Sequence, residues 1–189
     1  MELVSEVIPE TWFARSAPKV ASGLVGAYLC IERDGVFEKW KIVEVEAYTQ
    51  DDPASHSFGG ETKRNWAMFQ AAGAAYVYQS YGVHKCFNIV TGKPGSGEAV
   101  LIRALEPEFP CDANRLRLCS GPGKVGKHLG VTIEMNGMEL CPENGLWIEF
   151  SEEKLPRTKI VKTTRVGVRK GANLPRRWYL KSSHSVSKP

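Results

Sequence analysis

Along much of this chain apolar and polar residues alternate with a period of two, the spacing of a strand with one covered face. The clearest run is Phe37–Tyr48, where Val43, Val45 and Ala47 alternate with Ile42, Glu44, Glu46 and Tyr48. Ala27–Arg33 reads as its partner, and the intervening Asp34-Gly35 is a two-residue hairpin signal. Ala75–Tyr81, Lys85–Val90 and Ala99–Ala104 predict three more strands, the first two joined tightly at Tyr81-Gly82. Shorter strands are expected around Trp147–Phe150, Ile160–Val168 and Trp178–Leu180. Helical spacing is scarce. Pro18–Val25 and Pro122–Leu129 predict short helices, and Thr62 can cap another through Asn65, Met68 and Phe69, stopped by Gly73. The pattern predicts an α+β fold, one mixed domain over residues 1–189 on a twisted, mainly antiparallel sheet, since no linker or repeat interrupts the chain.

Composition adds three constraints. No apolar run approaches the length of a membrane span, and the start MELVSEVIPE lacks the basic and apolar regions of a signal peptide. The expectation is a cytoplasmic, nucleoid-associated protein, or a nuclear one in a eukaryote. Five cysteines without CxxC spacing fit free thiols in a reducing compartment better than disulfides, and no metal site is expected. Net charge is only +4, but no Asp or Glu follows Glu153, whereas eleven Lys and Arg do. That skew favours a polyanionic partner, nucleic acid first, against the plainer reading of a solubilising tail.

The chemistry gathers in Lys41–Gly60, KIVEVEAYTQDDPASHSFGG. Two carboxylates and a phenol share a strand face, and His56 follows in a Pro- and Asp-rich loop. These groups can wall a reaction pocket, or simply decorate a half-solvated edge strand. Glu44 and Glu46 also admit a rival, because strand neighbours on one face stand about 6.5–7 Å apart at ~3.3 Å rise per residue. That spacing suits the acid and base of an inverting sugar hydrolase. Arg103 is a lone charge after the apolar run Ala99–Ile102, so it must meet a carboxylate or solvent; Glu46 is the expected partner, with Glu106 the alternative. An Arg beside a carboxylate favours its ionised form, which can act as a base on water.

In YVYQSYGVHKCFN, Tyr76 and Tyr78 share a face and Tyr81 sits at the hairpin turn, poorly placed for a core. A tip aromatic can wedge between stacked bases, and Tyr78 can stack on an extruded one, although strands favour tyrosine in any case. Ser120–Lys124, SGPGK, opens a predicted helix and suits a backbone phosphate, but it does not satisfy the P-loop pattern. Lys124, with Arg165 and Lys170 of the basic segment, are the candidates for contacts to a nucleic-acid backbone. His84, His128 and His184 lack ligand spacing and read as structural.

Taken together, VEVEAY, HSFGG, KRNWAMF, YVYQSYGVHKCFN, VLIRALEP, CSGPGK and TRVGV occur in the order seen in alkyladenine (3-methyladenine) DNA glycosylases. The chain resembles that family from about Ala14 to Tyr179. The resemblance implies a monomeric, cofactor-free enzyme on a curved antiparallel sheet with a protruding hairpin, acting on double-stranded DNA that contains damaged purines. It implies excision of 3-methyladenine, 7-methylguanine, hypoxanthine and ethenoadenine by water, without strand cleavage. Glu46 resembles the general base, Arg103 the arginine beside the attacking water, and Val166 the residue whose main chain helps hold it. Tyr48, His56 and Tyr78 resemble the base-sandwiching pocket, Asn88 the residue that crowds the amino group of normal guanine, and Tyr81 the intercalating residue. The chain departs from the family pattern in a shorter loop before His56, a short segment between Pro107 and Ser120, and His84 in place of an aromatic. These departures bear on substrate range. The other class left open is a catalytically silent protein that binds damaged DNA.

Overall fold

The computed structural model describes residues 6–80, 82–108, 112–152 and 155–188. After a short helix α1, Glu10–Phe13, comes α2, Ala17–Leu24, whose Ala17, Val20, Ala21 and Leu24 repeat at helical spacing and are all buried. Pro18 sits in its first turn, where a missing N–H costs nothing. Strands β1, Tyr28–Arg33, and β2, Val36–Tyr48, form the expected hairpin with Arg33 opposite Val36. Asp34 and Gly35 both take positive φ, 51° and 75°, as a two-residue turn with the right twist demands.

Strands β3, Ala75–Ser80, β4, His84–Thr91, and β5, Glu98–Pro107, follow, then the short helices α3, Ala113–Leu116, and α4, Pro122–His128. Strands β6, Leu146–Glu149, β7, Ile160–Thr163, and β8, Arg177–Leu180, complete the described elements. They form one eight-stranded antiparallel sheet in the order β3-β4-β5-β2-β1-β6, with β8 pairing β2 and β7. The curved sheet and its few helices make an α+β fold, as the pattern predicted. The long apolar core runs from Ile8 to Leu180 and includes α2, Trp40, Phe87 and Trp178. Among the described residues no helix is long and apolar enough to cross a membrane.

Strand β2 is an interior strand, against the edge-strand alternative. It pairs with β1 and then β8 along one side and with β5 along the other. The register with β5 shifts on both sides of Glu44, which leaves Val43 and Arg103 without opposite numbers. Such bulges bend a sheet and re-aim side chains. Ile42 therefore joins Val43, Val45 and Ala47 in the apolar core instead of sharing the carboxylate face.

Two predicted elements are shorter than expected. Residues 160–168 do not form one strand; β7 ends at Thr163, and the amide of Val166 turns away to a side chain. The helix expected from Thr62 is only a 3₁₀ turn over Trp66–Phe69, capped by Asn65. Asn65 instead ties the preceding loop together, donating to His56 O at 2.8 Å and Gly60 O at 3.0 Å. Cys30, Cys86, Cys119 and Cys141 are free thiols, and no cluster of metal-binding side chains occurs among the described residues.

Candidate active site

A cavity of about 430 Å³ opens on the face of the sheet opposite α2. It is lined by Glu46 and Tyr48 from β2, Tyr76 and Tyr78 from β3, Cys86 and Asn88 from β4, and Leu101 and Arg103 from β5. His56 closes one wall from its loop, and Val166 with Gly167 and Val168 closes another. The seven residues expected as catalytic or base-pocket groups thus line one cavity, although they span 120 positions between Glu46 and Val166.

Glu46 is fully buried at the floor. One oxygen accepts from the Tyr48 hydroxyl at 2.8 Å; the other accepts from the Val166 N–H at 2.8 Å and lies 3.4 Å from Arg103 Nη1. A carboxylate offers about four acceptor sites, so these contacts leave one for a further donor such as water. Burial, and then the adjacent Glu46 carboxylate, push the Tyr48 phenol far above its ordinary range, so it stays a neutral donor.

Glu44, two residues away, has a different role. Its Oε1 accepts from Arg103 Nε at 3.0 Å and Arg177 Nη1 at 2.9 Å, and its Oε2 from the Ser187 N–H at 2.7 Å. Burial pushes its carboxyl up, but the charge of Arg103, the Ser187 hydrogen bonds and Arg177 outweigh it, and the net shift is downward. A carboxyl held ionised in this way cannot serve as a general acid at neutral pH. Glu44 also does not line the cavity, so it does not flank a substrate there together with Glu46, as the sugar-hydrolase rival requires. Arg103 meets Glu46 as expected, but its closer partner is Glu44; Glu106 bonds Ser183 instead.

The aromatic wall is a connected cluster. His56 packs edge-on to Tyr78 at 4.5 Å between centroids, Tyr76 lies 5.6 Å from Tyr78, and His56 Nδ1 is 2.8 Å from the Tyr76 hydroxyl. Burial, helped by Arg64, lowers the His56 pKa below its ordinary value, so the imidazole is neutral at pH 7. Burial raises both tyrosine phenols well above theirs. The Asn88 amide is fixed by donation to Tyr76 O at 2.9 Å and Cys86 O at 3.4 Å.

The expected DNA contacts divide. Tyr81 lies outside the described residues. Lys124 and Lys170 are exposed, two residues beyond the cavity-lining Pro122 and Val168. Arg165 is a correction: its side chain has no exposed surface and is paired with Asp52, so it presents nothing to a phosphate. Sequence reasoning also missed Tyr76 as a wall, Arg64 at the rim, and Arg177 and Ser187 as partners of Glu44. Only Tyr76 carried a local signal, the strand face it shares with Tyr78.

Fold and site define a half-barrel α+β protein with one donor-held carboxylate at the floor of an aromatic, base-sized cavity. The family model for methylpurine-DNA glycosylase (MPG) matches residues 11–184. Relatives provisionally named 3-methyladenine DNA glycosylase include one from Methanoculleus marisnigri, 46% identical over 191 residues, covering 96% of this chain and 98% of the relative. A Rhodopseudomonas palustris relative with the same provisional name is 47% identical, with coverages of 96% and 91%. One from Carboxydothermus hydrogenoformans is 44% identical, with coverages of 96% and 99%. The chain belongs to the methylpurine-DNA glycosylase family, and so to the DNA-repair hydrolases of N-glycosyl bonds.

Proposed function

We propose that this protein flips alkylated or deaminated purines out of double-stranded DNA and releases them by water attack at the sugar C1′. The substrates proposed are 3-methyladenine, 7-methylguanine, hypoxanthine and ethenoadenine, and the protein acts as a monomer. The observation that carries the reading is Glu46, a buried carboxylate with three fixed partners and capacity for one more donor, among the lining residues of an aromatic cavity. A water bound there donates one proton to Glu46 as its oxygen attacks C1′. The electrons of the C1′–N bond leave with the base. The carboxylate also stabilises the positive charge that grows on the sugar, in a site where its orientation is already fixed.

A purine alkylated at N3 or N7 is cationic and leaves as a neutral base. A neutral purine such as hypoxanthine needs a proton on the departing ring. Tyr48 and Tyr78 offer π faces to a cationic base, and a neutral His56 adds no opposing charge. Asn88, held by two carbonyls, would crowd a purine carrying an extra amino group. Among the described residues no lysine lines the cavity, which supports simple hydrolysis without a Schiff base or strand cleavage.

The test is single-turnover base release from hypoxanthine-containing duplex by the native chain and by Glu46→Gln. The variant is expected to lose about 10²- to 10⁴-fold in rate, the range for a general base, while still binding the damaged duplex. Binding without release by the native chain would instead identify a silent damage binder. Loss of both binding and release in the variant would make Glu46 a structural residue.

A further inference from the structure

We infer that Asp52 and Arg165 form a positioning pair that holds the loop carrying Val166 so that its N–H is aimed at Glu46. This role rests on the glycosylase reading above. Neither side chain lines the cavity, so neither touches the base. Both are completely shielded from solvent.

The pair is two-pronged. Arg165 Nη1 bonds Asp52 Oδ2, and Nη2 donates to Oδ1 at 3.0 Å. The guanidinium also donates to Ala47 O at 3.3 Å and Gly171 O at 3.4 Å. Asp52 is itself fixed by the Ala54 N–H at 3.0 Å and by Arg176 Nη1 at 3.3 Å. One ion pair therefore ties together the end of β2, the loop at 49–54 and the loop at 165–171. Gly171, at φ +59°, closes over it; a Cβ there would stand 3.1 Å from Asp52 Oδ1 and 3.4 Å from Arg165 Nη2.

This matters for the chemistry because of what adjoins the pair. Val166 is the next residue, and its N–H reaches Glu46 at 2.8 Å, beyond the end of the β7 ladder. The Arg165 guanidinium also lies 4.7 Å from the Tyr48 ring centroid. Arg165 itself does not line the cavity, so it can brace the Tyr48 ring without touching the base. Two of the three groups that hold Glu46, Val166 and Tyr48, are therefore set by one ion pair. A lysine can keep the charge but not the fork that reaches Asp52, Ala47 and Gly171 together.

The experiment compares the native chain with Arg165→Lys, Asp52→Asn and the double variant on hypoxanthine duplex and on undamaged duplex. Single-turnover release should fall about 10- to 100-fold in each single variant, the scale of a misplacement near 1 Å. Affinity for undamaged duplex and its salt dependence should be unchanged. Hydrogen exchange at the Val166 amide should accelerate, and the double variant should be no slower than the slower single one, because the two residues act as a unit. Unchanged release, additive losses, or an unaltered Val166 amide would each overturn the inference. So would weaker undamaged-duplex binding with a shallower salt slope, which would make Arg165 a phosphate contact. Should Arg165→Lys fail to fold, the near-isosteric Asp52→Asn decides through the same Val166 amide and rate. A native chain that releases no base would sink the glycosylase reading itself; native release matched by the variants would sink only the pair.

Discussion

Glu44 and Glu46 show how two identical residues, two positions apart on one strand, acquire opposite roles through their surroundings. Glu46 lines the cavity, whereas Glu44, with as many partners in Arg103, Arg177 and Ser187, does not. Glu44→Gln would take the carboxylate partner from buried Arg177 and leave Arg103 only its longer contact with Glu46, and breaking a buried pair costs about 3–5 kcal/mol. Urea unfolding at pH 7 measures it, and a loss below about 1 kcal/mol would show the cluster is loosely held. The pH dependence has a definite sign. The folded-state pKa of Glu44 is depressed below the unfolded value near 4.3, so its contribution is fully present above that value. It is lost as pH falls through the lower, folded value. The difference in stability between native chain and variant should therefore shrink below about pH 4, and a constant difference would contradict the assignment. Glu46, Tyr48 and Arg103 were legible in sequence because each is locally anomalous, a charge or phenol amid apolar strand residues. The partners of Glu44 were not: Arg177 and Ser187 are 133 and 143 positions away and look like ordinary members of a basic tail.

At the scale of elements, strands with two-residue alternation were readable, and their ends were not. The run TRVGV looks β-prone, yet its amide at Val166 serves a carboxylate instead of a neighbouring strand, a choice that no local pattern encodes. Likewise Thr62–Phe69 has a helix start signal, but Asn65 is spent on the His56 loop. The bulges around Glu44 were equally hidden, because they arise from pairing with β5 and not from β2 itself. Helix α4 was foreseen, though its glycines had no visible purpose. The structure supplies one: a Cβ at Gly126 would stand 1.9 Å from Lys85 O, a backbone atom of β4. In an isolated helix Gly126→Ala would gain up to about 1 kcal/mol from propensity. Here the clash forces α4 off β4, and overpacking costs about 1–3 kcal/mol or more. The clash is larger, so the net effect should be destabilising. A lowered denaturation midpoint together with slower base release is expected, since β4 also carries Asn88. A raised midpoint would mean that α4 can slide without disturbing the sheet.

Over the whole molecule, the basic C-terminal segment was correctly read as uneven in charge but over-read as surface. Arg165 and Arg177 are buried and neutralised by Asp52 and Glu44, and Arg176 is paired with Asp51 and Asp52. They hold the site together, so the charge left for a polyanion is smaller than the sequence implies. What remains exposed near the cavity includes Lys124 and Lys170. Each stands two residues beyond a lining residue, Pro122 or Val168, and so within about 7 Å of the rim along the chain. Lys124 donates to Arg117 O at 3.2 Å, which leaves two of its three protons for a phosphate. If both lysines neutralise backbone phosphates, Lys124→Ala and Lys170→Ala should each weaken binding to damaged and undamaged duplex alike. Each should also reduce the slope of log affinity against log salt by about 0.9, the signature of one lost counterion-releasing contact. The loss should fall on affinity and not on the release rate at saturating protein, because neither side chain lines the cavity. Fluorescence titrations at several salt concentrations, paired with single-turnover release, measure both quantities. A variant that loses rate but keeps its salt slope would place that lysine with the loop machinery of Val166 instead of the DNA backbone.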